Sequence, residues 1–464
     1  MSSSWFLVLF TFFLTVNVLL AEPTKRSKHR GHRGEDSTPD VPLNVASVDG
    51  AHVGVRSNES RIIVPTEDPV KYDGAKVFRV FVTNAKGRKR VNDLTDKGVA
   101  EKWGGSTSNI DIMVKADKVA AVKQYLEKAK LTYEVILEDV QRAINEENPE
   151  ISEEELAVLT GRKGHRMTFH KYHRMEDIHG YLDYLAQTYP QLVTLTDIGR
   201  SLEGRPLRLV KISSGVPNAK AFWIDGGIHA REWITPATVS FILSELVENR
   251  EAQEDYIKKI DFYVLPITNP DGYEYTHTTE RLWRKNRRKS PKGDSCSGID
   301  LNRNWGFHWG GVGSSKEQCQ QIYAGTGPFS EPETQAVSRF ILANNANMKA
   351  FVTFHSYGQY ILYPWGYNKK VPPDYADLDR VGRAAAEAMR VAGGGAYTVG
   401  NSAQLLYPAA GASDDWAKGV AKIKYTYTIE LRDKGNYGFL LPASHILPVG
   451  RESLAAIKAI AREF

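Results

Sequence analysis

Long apolar runs are almost missing from this sequence. Only residues 1–21 (MSSSWFLVLFTFFLTVNVLLA) approach the ~20 apolar residues that a membrane span needs, and Thr11, Thr15 and Asn17 interrupt them. The stretch closes on a small residue and reads as a secretory signal peptide cleaved near Ala21. No Lys or Arg precedes it, so a signal anchor stays open as the alternative. Charge of one sign is also scarce: 60 Lys and Arg against 55 Asp and Glu leave +5, too little for the chain as a whole to argue for nucleic acid. Cysteine is scarcer still. An exported chain with Cys296 and Cys319 alone has one economical disulfide, closing a loop.

What is present describes a globular protein. A 42% hydrophobic and 25% charged composition over 464 residues leaves room for two or three domains and a sizeable core. Residues 22–70 are rich in Pro, Ser and charge without an apolar period, and read as a disordered linker. Its basic segment (Lys25, Arg26, Lys28, Arg30, Arg33, with His29 and His32) reads as a solvated tail, and its sequon Asn58-Glu59-Ser60 fits export. Order then begins. Alternation predicts strands over 76–82 and 110–114, with a weaker strand between them. Helical spacing covers 91–103 and Val119, Val122 and Leu126, and 132–137 is a further apolar stretch whose partner cannot be read. This is a small open α/β sandwich of roughly 80 residues.

Residues 138–159 are acidic and helical in pattern, and the charge then flips at Gly161-Arg162-Lys163-Gly164-His165-Arg166. Such a Gly-spaced basic segment between folded units is either an ordinary linker or a site for a trypsin-like protease. Beyond 167, helices (175–189, 238–248, 331–344) alternate with short strands (207–212, 221–224, 260–267, 350–354, 423–429), several of them nearly all apolar. Strands buried on both faces imply a mixed central sheet flanked by helices, in one domain of about 300 residues.

Candidate chemistry gathers at strand ends, where ligands of α/β sheets bind. The run 221–235, AFWIDGGIHAREWIT, delivers His229 and Glu232 from a tight turn. An imidazole and a carboxylate three residues apart suit catalytic Zn²⁺, the alternative being a surface ion pair. Strand 351–354 runs into His355-Ser356-Tyr357, a third ligand that would leave one coordination position open. Strand 425–429 ends in Glu430-Leu431-Arg432-Asp433, where a carboxylate at an apolar strand tip needs either a partner or a function. Two stretches, Trp283-Arg284-Lys285 and Asp300-Leu301-Asn302-Arg303-Asn304-Trp305, put cations and amides among apolar residues. The planar Arg fork suits carboxylates.

Taken in order, with Tyr407 in Leu406-Tyr407-Pro408, these six motifs resemble the zinc metallocarboxypeptidases of the A/B type, from about Ala75 to the C-terminus. The resemblance implies one Zn²⁺ per chain held by His229, Glu232 and His355, with Asp300 behind His229. It implies Glu430 as general base and Arg284 as the cation meeting the developing oxyanion. Asn302, Arg303 and Tyr407 match the clamp on the substrate's C-terminal carboxylate, which would make the enzyme an exopeptidase. Ser356 and Tyr357, and likewise Arg231 and Phe439, match further substrate-binding residues. The set is chemically coherent: metal-activated water, a carboxylate to take its proton, a guanidinium to meet the charge.

The same resemblance divides the chain into a signal peptide (1–21), a linker (22–70), an inhibitory prodomain (71–137), a connecting helix with activation segment (138–166) and a catalytic domain (167–464). The expected product is a secreted, extracellular, monomeric zymogen, cut near Arg166 by a trypsin-like protease. Its substrates are peptides and proteins with a free C-terminus; no nucleic acid and no stable membrane span are expected. Asp414, in Ala412-Ser413-Asp414-Asp415-Trp416, stands where the Lys/Arg-preferring members carry a carboxylate, although an Asp there also suits a turn. Gly366 matches the apolar-preferring members, which keeps an A-type preference as the alternative. One extra residue between Arg284 and Asn302, and one between Trp416 and Glu430, depart from the family spacing. A zinc deacylase on the same scaffold, or a catalytically dead peptide-binding relative, are the remaining alternatives.

Overall fold

The computed structural model of the protein describes residues 68–464, except 151, 155, 156, 159, 160, 162, 163, 292, 294 and 295. The expected signal peptide, basic tail and sequon, and nearly all of the linker, lie outside the described residues. So do parts of the acidic helix and the activation segment.

A small antiparallel sheet comes first. Its strands are β1 (Lys76–Phe81), β2 (Glu101–Gly105), β3 (Asn109–Val114) and β4 (Tyr133–Leu137), ordered β2-β3-β1-β4. The unread partner of 132–137 is therefore β1. Phe78, Val80, Ile110 and Ile112 face helices α1 (Ala85–Asp96) and α2 (Val119–Lys128), whose Val91, Leu94, Val122 and Leu126 close one core. Helix α1 corrects the expected span 91–103. It starts six residues earlier, where the Asn84 side chain accepts the Gly87 N–H at 2.8 Å, and it ends at Asp96. Gly98, at φ +68°, then turns the chain and frees Trp103 for the weaker strand β2. A short helix α3 (Val140–Glu147), capped by Asp139, leads on.

The large sheet has eight strands: β5 (Val193–Arg200), β6 (Pro206–Ile212), β7 (Ala221–Asp225), β8 (Asp261–Leu265), β9 (Met348–Ser356), β10 (Tyr360–Tyr363), β11 (Thr398–Asn401) and β12 (Tyr425–Leu431). Their order is β11-β10-β12-β9-β7-β8-β6-β5. The central four, β12-β9-β7-β8, are parallel, and antiparallel pairings flank them. On one face Phe222, Ile224, Val352, Phe354 and Ile429 pack with residues of α4 (Met175–Thr188), α5 (Ile234–Val247), α8 (Tyr375–Val391) and α10 (Ile446–Ala461). On the other, Trp223, Leu265 and Phe351 pack with Trp305, Val337 of α7 (Pro332–Asn344) and Trp416 of α9 (Ser413–Gly419). Helix α6 (Pro270–Thr278) joins the first face through Tyr273. Alternate residues of β7, β8 and β9 thus enter two cores, which is why these strands read as apolar runs; β12 gives Tyr425, Tyr427, Ile429 and Leu431 to the first core alone. Cys296 and Cys319 form the expected disulfide. Among the described residues no helix is long and apolar enough to cross a membrane.

Candidate active site

Because β7, β9 and β12 are parallel and adjacent, their carboxyl ends share one edge of the sheet. Strand β7 ends at Asp225, and Gly226 and Gly227 fold the chain back. A Cβ at Gly226 would lie 3.0 Å from the Thr235 carbonyl oxygen, and Gly227 takes φ +65°. The turn is pinned by the Gly227 N–H donating to Thr235 Oγ1 at 2.8 Å, and it carries His229 and Glu232 to the sheet edge. His355, near the end of β9, stands in register beside Glu430 of β12.

These elements bring His229, Glu232 and His355 together, all buried, with ligand atoms within 4.8 Å of one another. His229 Nδ1 lies 2.8 Å from Glu232 Oε1 and 3.1 Å from His355 Nδ1, and His355 Nδ1 lies 3.3 Å from Glu232 Oε2. Two imidazole lone pairs turned on each other beside a carboxylate are what a shared divalent cation resolves, so the donor set fits Zn²⁺. Asp300 supports the set from behind, its Oδ1 3.2 Å from His229 Nε2. That contact fixes the ring so that Nδ1 faces the metal position. Burial works against a charge on Glu232, yet the adjacent His229 and His355 hold its carboxyl below the usual range. Burial likewise opposes charge on Asp300, which Arg284, Arg303 and His229 outweigh, so that it stays ionised.

One cleft is lined by these ligands together with Arg284, Asn302, Arg303, Ser356, Tyr357, Tyr407, Asp414, Glu430 and Phe439. Arg284 donates from Nε and Nη2 to Asp300 Oδ2 (3.2 and 2.9 Å), and its Nη1 is 3.9 Å from Glu232. Asn302 accepts the Ser413 N–H at 2.9 Å, and Arg303 donates to the Gly313 and Asn302 carbonyls at 2.8 and 2.7 Å. Burial pushes the Glu430 carboxyl up to about 7, with Glu232 adding to the rise and His355, Arg284 and Arg303 opposing it. Asp414 is buried at the N-terminal end of α9 and shares its part of the cleft with Leu362, Gly366, Ser402 and Thr428. Burial raises its pKa. Its neighbour Asp415 is turned away, accepting the Gly366 and Tyr367 N–H groups at 2.7 Å each.

Two expected site residues stand apart from the cleft lining: Asp300, behind His229, and Arg231. The Arg231 guanidinium lies 4.1 Å from the Phe439 ring centroid and pairs with Glu101 of β2. The small sheet indeed caps the cleft. Trp103, Gly104 and Gly105 form part of its lining, Lys102 Nζ sits 3.8 Å from the Tyr407 ring centroid, and the Tyr357 hydroxyl donates to Asp111 at 2.9 Å. Sequence reasoning missed Glu101, Lys102 and Trp103, because a strand rim gives no local sign of the remote surface it will cover. Thr428 was within reach: it lies two residues before Glu430 on β12, hence on the same face.

Comparison with known proteins agrees with this geometry. The family described as zinc carboxypeptidase matches residues 178–456, and the carboxypeptidase activation peptide matches 78–147. A carboxypeptidase B of Astacus astacus is 48% identical over 295 residues, covering 64% of this chain and 97% of its own. Carboxypeptidase A4 of Mus musculus is 38% identical over 399 residues, 84% of this chain and 93% of its own. The crystal structure of thrombin activatable fibrinolysis inhibitor superposes with a TM-score of 0.75 at 34% identity, over 84% of this chain and 99% of that one. Likeness of this extent, in both the activation peptide and the enzyme, makes the kinship plain: the chain belongs to the zinc carboxypeptidases that carry an activation peptide.

Proposed function

We propose that this zinc carboxypeptidase removes C-terminal Lys and Arg from peptides and proteins after its activation peptide has been cut away. His229, Glu232 and His355 would hold Zn²⁺, which when bound supplies a Lewis acid and acidifies water. Every other part of the reaction falls to the chain itself. Glu430, raised toward neutrality by burial, takes the proton of the attacking water and returns it to the leaving amine. Arg284, held by Asp300, meets the charge growing on the scissile carbonyl oxygen. Asn302, Arg303 and Tyr407 receive the terminal carboxylate, and so restrict the enzyme to chain ends. Ser356, Tyr357, Arg231 and Phe439 contact the residues upstream.

A single observation carries the basic preference. Asp414 is 3% exposed and lines the cleft, where Thr428 and the Asp415 backbone hydrogen-bond it and no ion pair with a Lys or Arg is formed among the described residues. A buried carboxylate without a counter-charge is costly, and a substrate guanidinium or ammonium supplies one. A Phe or Leu side chain would leave the carboxylate desolvated and unpaired. The complete set of ligands, Glu430 and the carboxylate clamp argue against a dead relative or a deacylase. We read the protein as secreted, on residues 1–21, and activated by a trypsin-like protease.

The test is hydrolysis by the trypsin-treated protein of matched peptides ending in Arg, Phe and Leu. Arg should be released fastest, and faster loss of Phe or Leu would overturn the preference. A chelator should remove one equivalent of zinc together with the activity, and added Zn²⁺ should restore it. Activity that survives zinc loss would refute the metal assignment.

A further inference from the structure

Activation requires a cut between the peptide that caps the cleft and the enzyme, and the Lys and Arg residues between the end of α3 and Met167 are Arg162, Lys163 and Arg166. The surroundings of Arg166 do not resemble a protease-accessible loop. The Arg166 side chain is exposed, but both neighbours are anchored. His165 is 7% exposed, and its ring packs against the stacked rings of Tyr181 and Tyr184 of α4, with centroids 4.8 and 4.6 Å away. Met167 is 4% exposed and belongs to the main core of the large sheet. The backbone between them is closed by the Met167 N–H donating to His165 Nδ1 at 3.1 Å, just after Gly164 turns at φ +71°.

A protease must draw several residues on both sides of the bond into an extended strand. Cleavage here therefore requires His165 to leave its aromatic slot and Met167 to leave the core, a local unfolding step. We propose that the Arg166–Met167 bond is shielded in the intact chain and is cut only after a first cut upstream has freed the segment from its tether. His165, held by Tyr181 and Tyr184, is the element that sets this order. The proposal rests on the zymogen reading given above, and it adds that Arg166 is a secondary, trimming site.

The experiment is a time course of limited trypsin digestion of the full chain, with the new N-termini read by mass. The first products should start at Lys163 or Gly164, with Met167 appearing later. In the Arg162→Gln/Lys163→Gln double variant, where Arg166 remains of the three, release of the peptide should slow by about tenfold or more, the penalty of cutting only from an opened state. Adding His165→Ala to that variant should restore the rate. Tyr184→Leu, which removes one of the two rings against His165 and leaves His165 itself unchanged, should restore it in part and so guards against a folding artefact of the first change. A Met167 terminus among the earliest products, an undiminished rate in the double variant, or no acceleration by either further change would overturn the proposal. Since masses alone report the order of cuts, failure of the zymogen reading would be separate: the peptide would be removed in the expected order and no carboxypeptidase activity would appear.

Discussion

At the scale of single residues, two buried carboxylates make opposite demands. Asp414 has a site but lacks a cation, so Asp414→Ala should lower kcat/KM for C-terminal Arg by about 10²-fold or more, the usual consequence of deleting one partner of a buried charge pair. Peptides ending in Leu or Phe should lose nothing, and steady-state kinetics on the two substrate types checks this. Glu333 has no site. It is buried at the start of α7, where burial chiefly, with Glu331 and Asp271 nearby, raises its carboxyl to about 7. Below the unfolded pKa both states are protonated, and the contribution to stability is complete. As pH climbs from there through about 7, the unfolded chain has already ionised while the folded carboxyl must do so without water, and the contribution is lost. Glu333→Gln should therefore raise Tm at pH 8 and do little at pH 5, a gain on the order of 1–3 kcal/mol. Thermal melts at the two pH values provide the measurement, and an equal shift at both would refute the cause given.

Among the elements, the pattern of residues was a better guide to interior strands than to edges or short segments. The runs 350–354 and 423–429 were legible because β9 and β12 are buried nearly throughout, and only threonines and Lys424 stand among their apolar residues. Strand β5, VTLTDIGR, lies at the sheet edge with half its residues polar, and β10 and β11 have four residues each, too few for a period to register. Helix α1 was placed too late because Trp103 continues the apolar spacing of Val91 and Leu94 and only the Gly98 turn breaks it. Packing between helices was not legible at all. Helices α5 and α10 cross where a Cβ on Gly450 would come within 2.5 Å of the Phe241 ring. Gly450→Ala should lower Tm by an overpacking penalty of about 1–3 kcal/mol, and should leave zinc content and KM unchanged, since the crossing lies away from the cleft.

For the molecule as a whole, the decisive contacts join the activation peptide to the enzyme. Glu147 of α3, fully buried, takes Arg281 Nε at 2.5 Å and Nη2 at 2.8 Å. Arg281 also donates to the carbonyls of Arg231 and Phe439 (2.8 and 2.9 Å), and its guanidinium lies 3.7 Å from the Trp233 ring centroid. Removing the carboxylate leaves a buried cation with carbonyl partners alone. Glu147→Ala should weaken docking of the peptide by about 3–5 kcal/mol. After trypsin treatment the variant's peptide should separate from the enzyme more readily than the wild-type peptide, read by gel filtration over a dilution series. Equal separation in both would show that the cap does not depend on this pair.

The sequence by itself determined the class of fold and the family, and its motifs nominated His229, Glu232 and His355 as metal donors and, through the family resemblance, Glu430 and Arg284. The fold class follows from a local fact, that apolar runs set strands, and His229, Glu232, His355 and Glu430 stand at or just beyond the end of one. Only the tertiary structure decided that β7, β9 and β12 lie side by side, so that His229, Glu232, His355 and Glu430 meet. It also decided that Asp300 braces both His229 and Arg284, that Asp414 rather than Asp415 faces the cleft, and that Trp103, Gly104 and Gly105 cover it. The physical reason is that strand order and docking depend on long-range burial of complementary faces, an interaction that neither segment's residues encode alone.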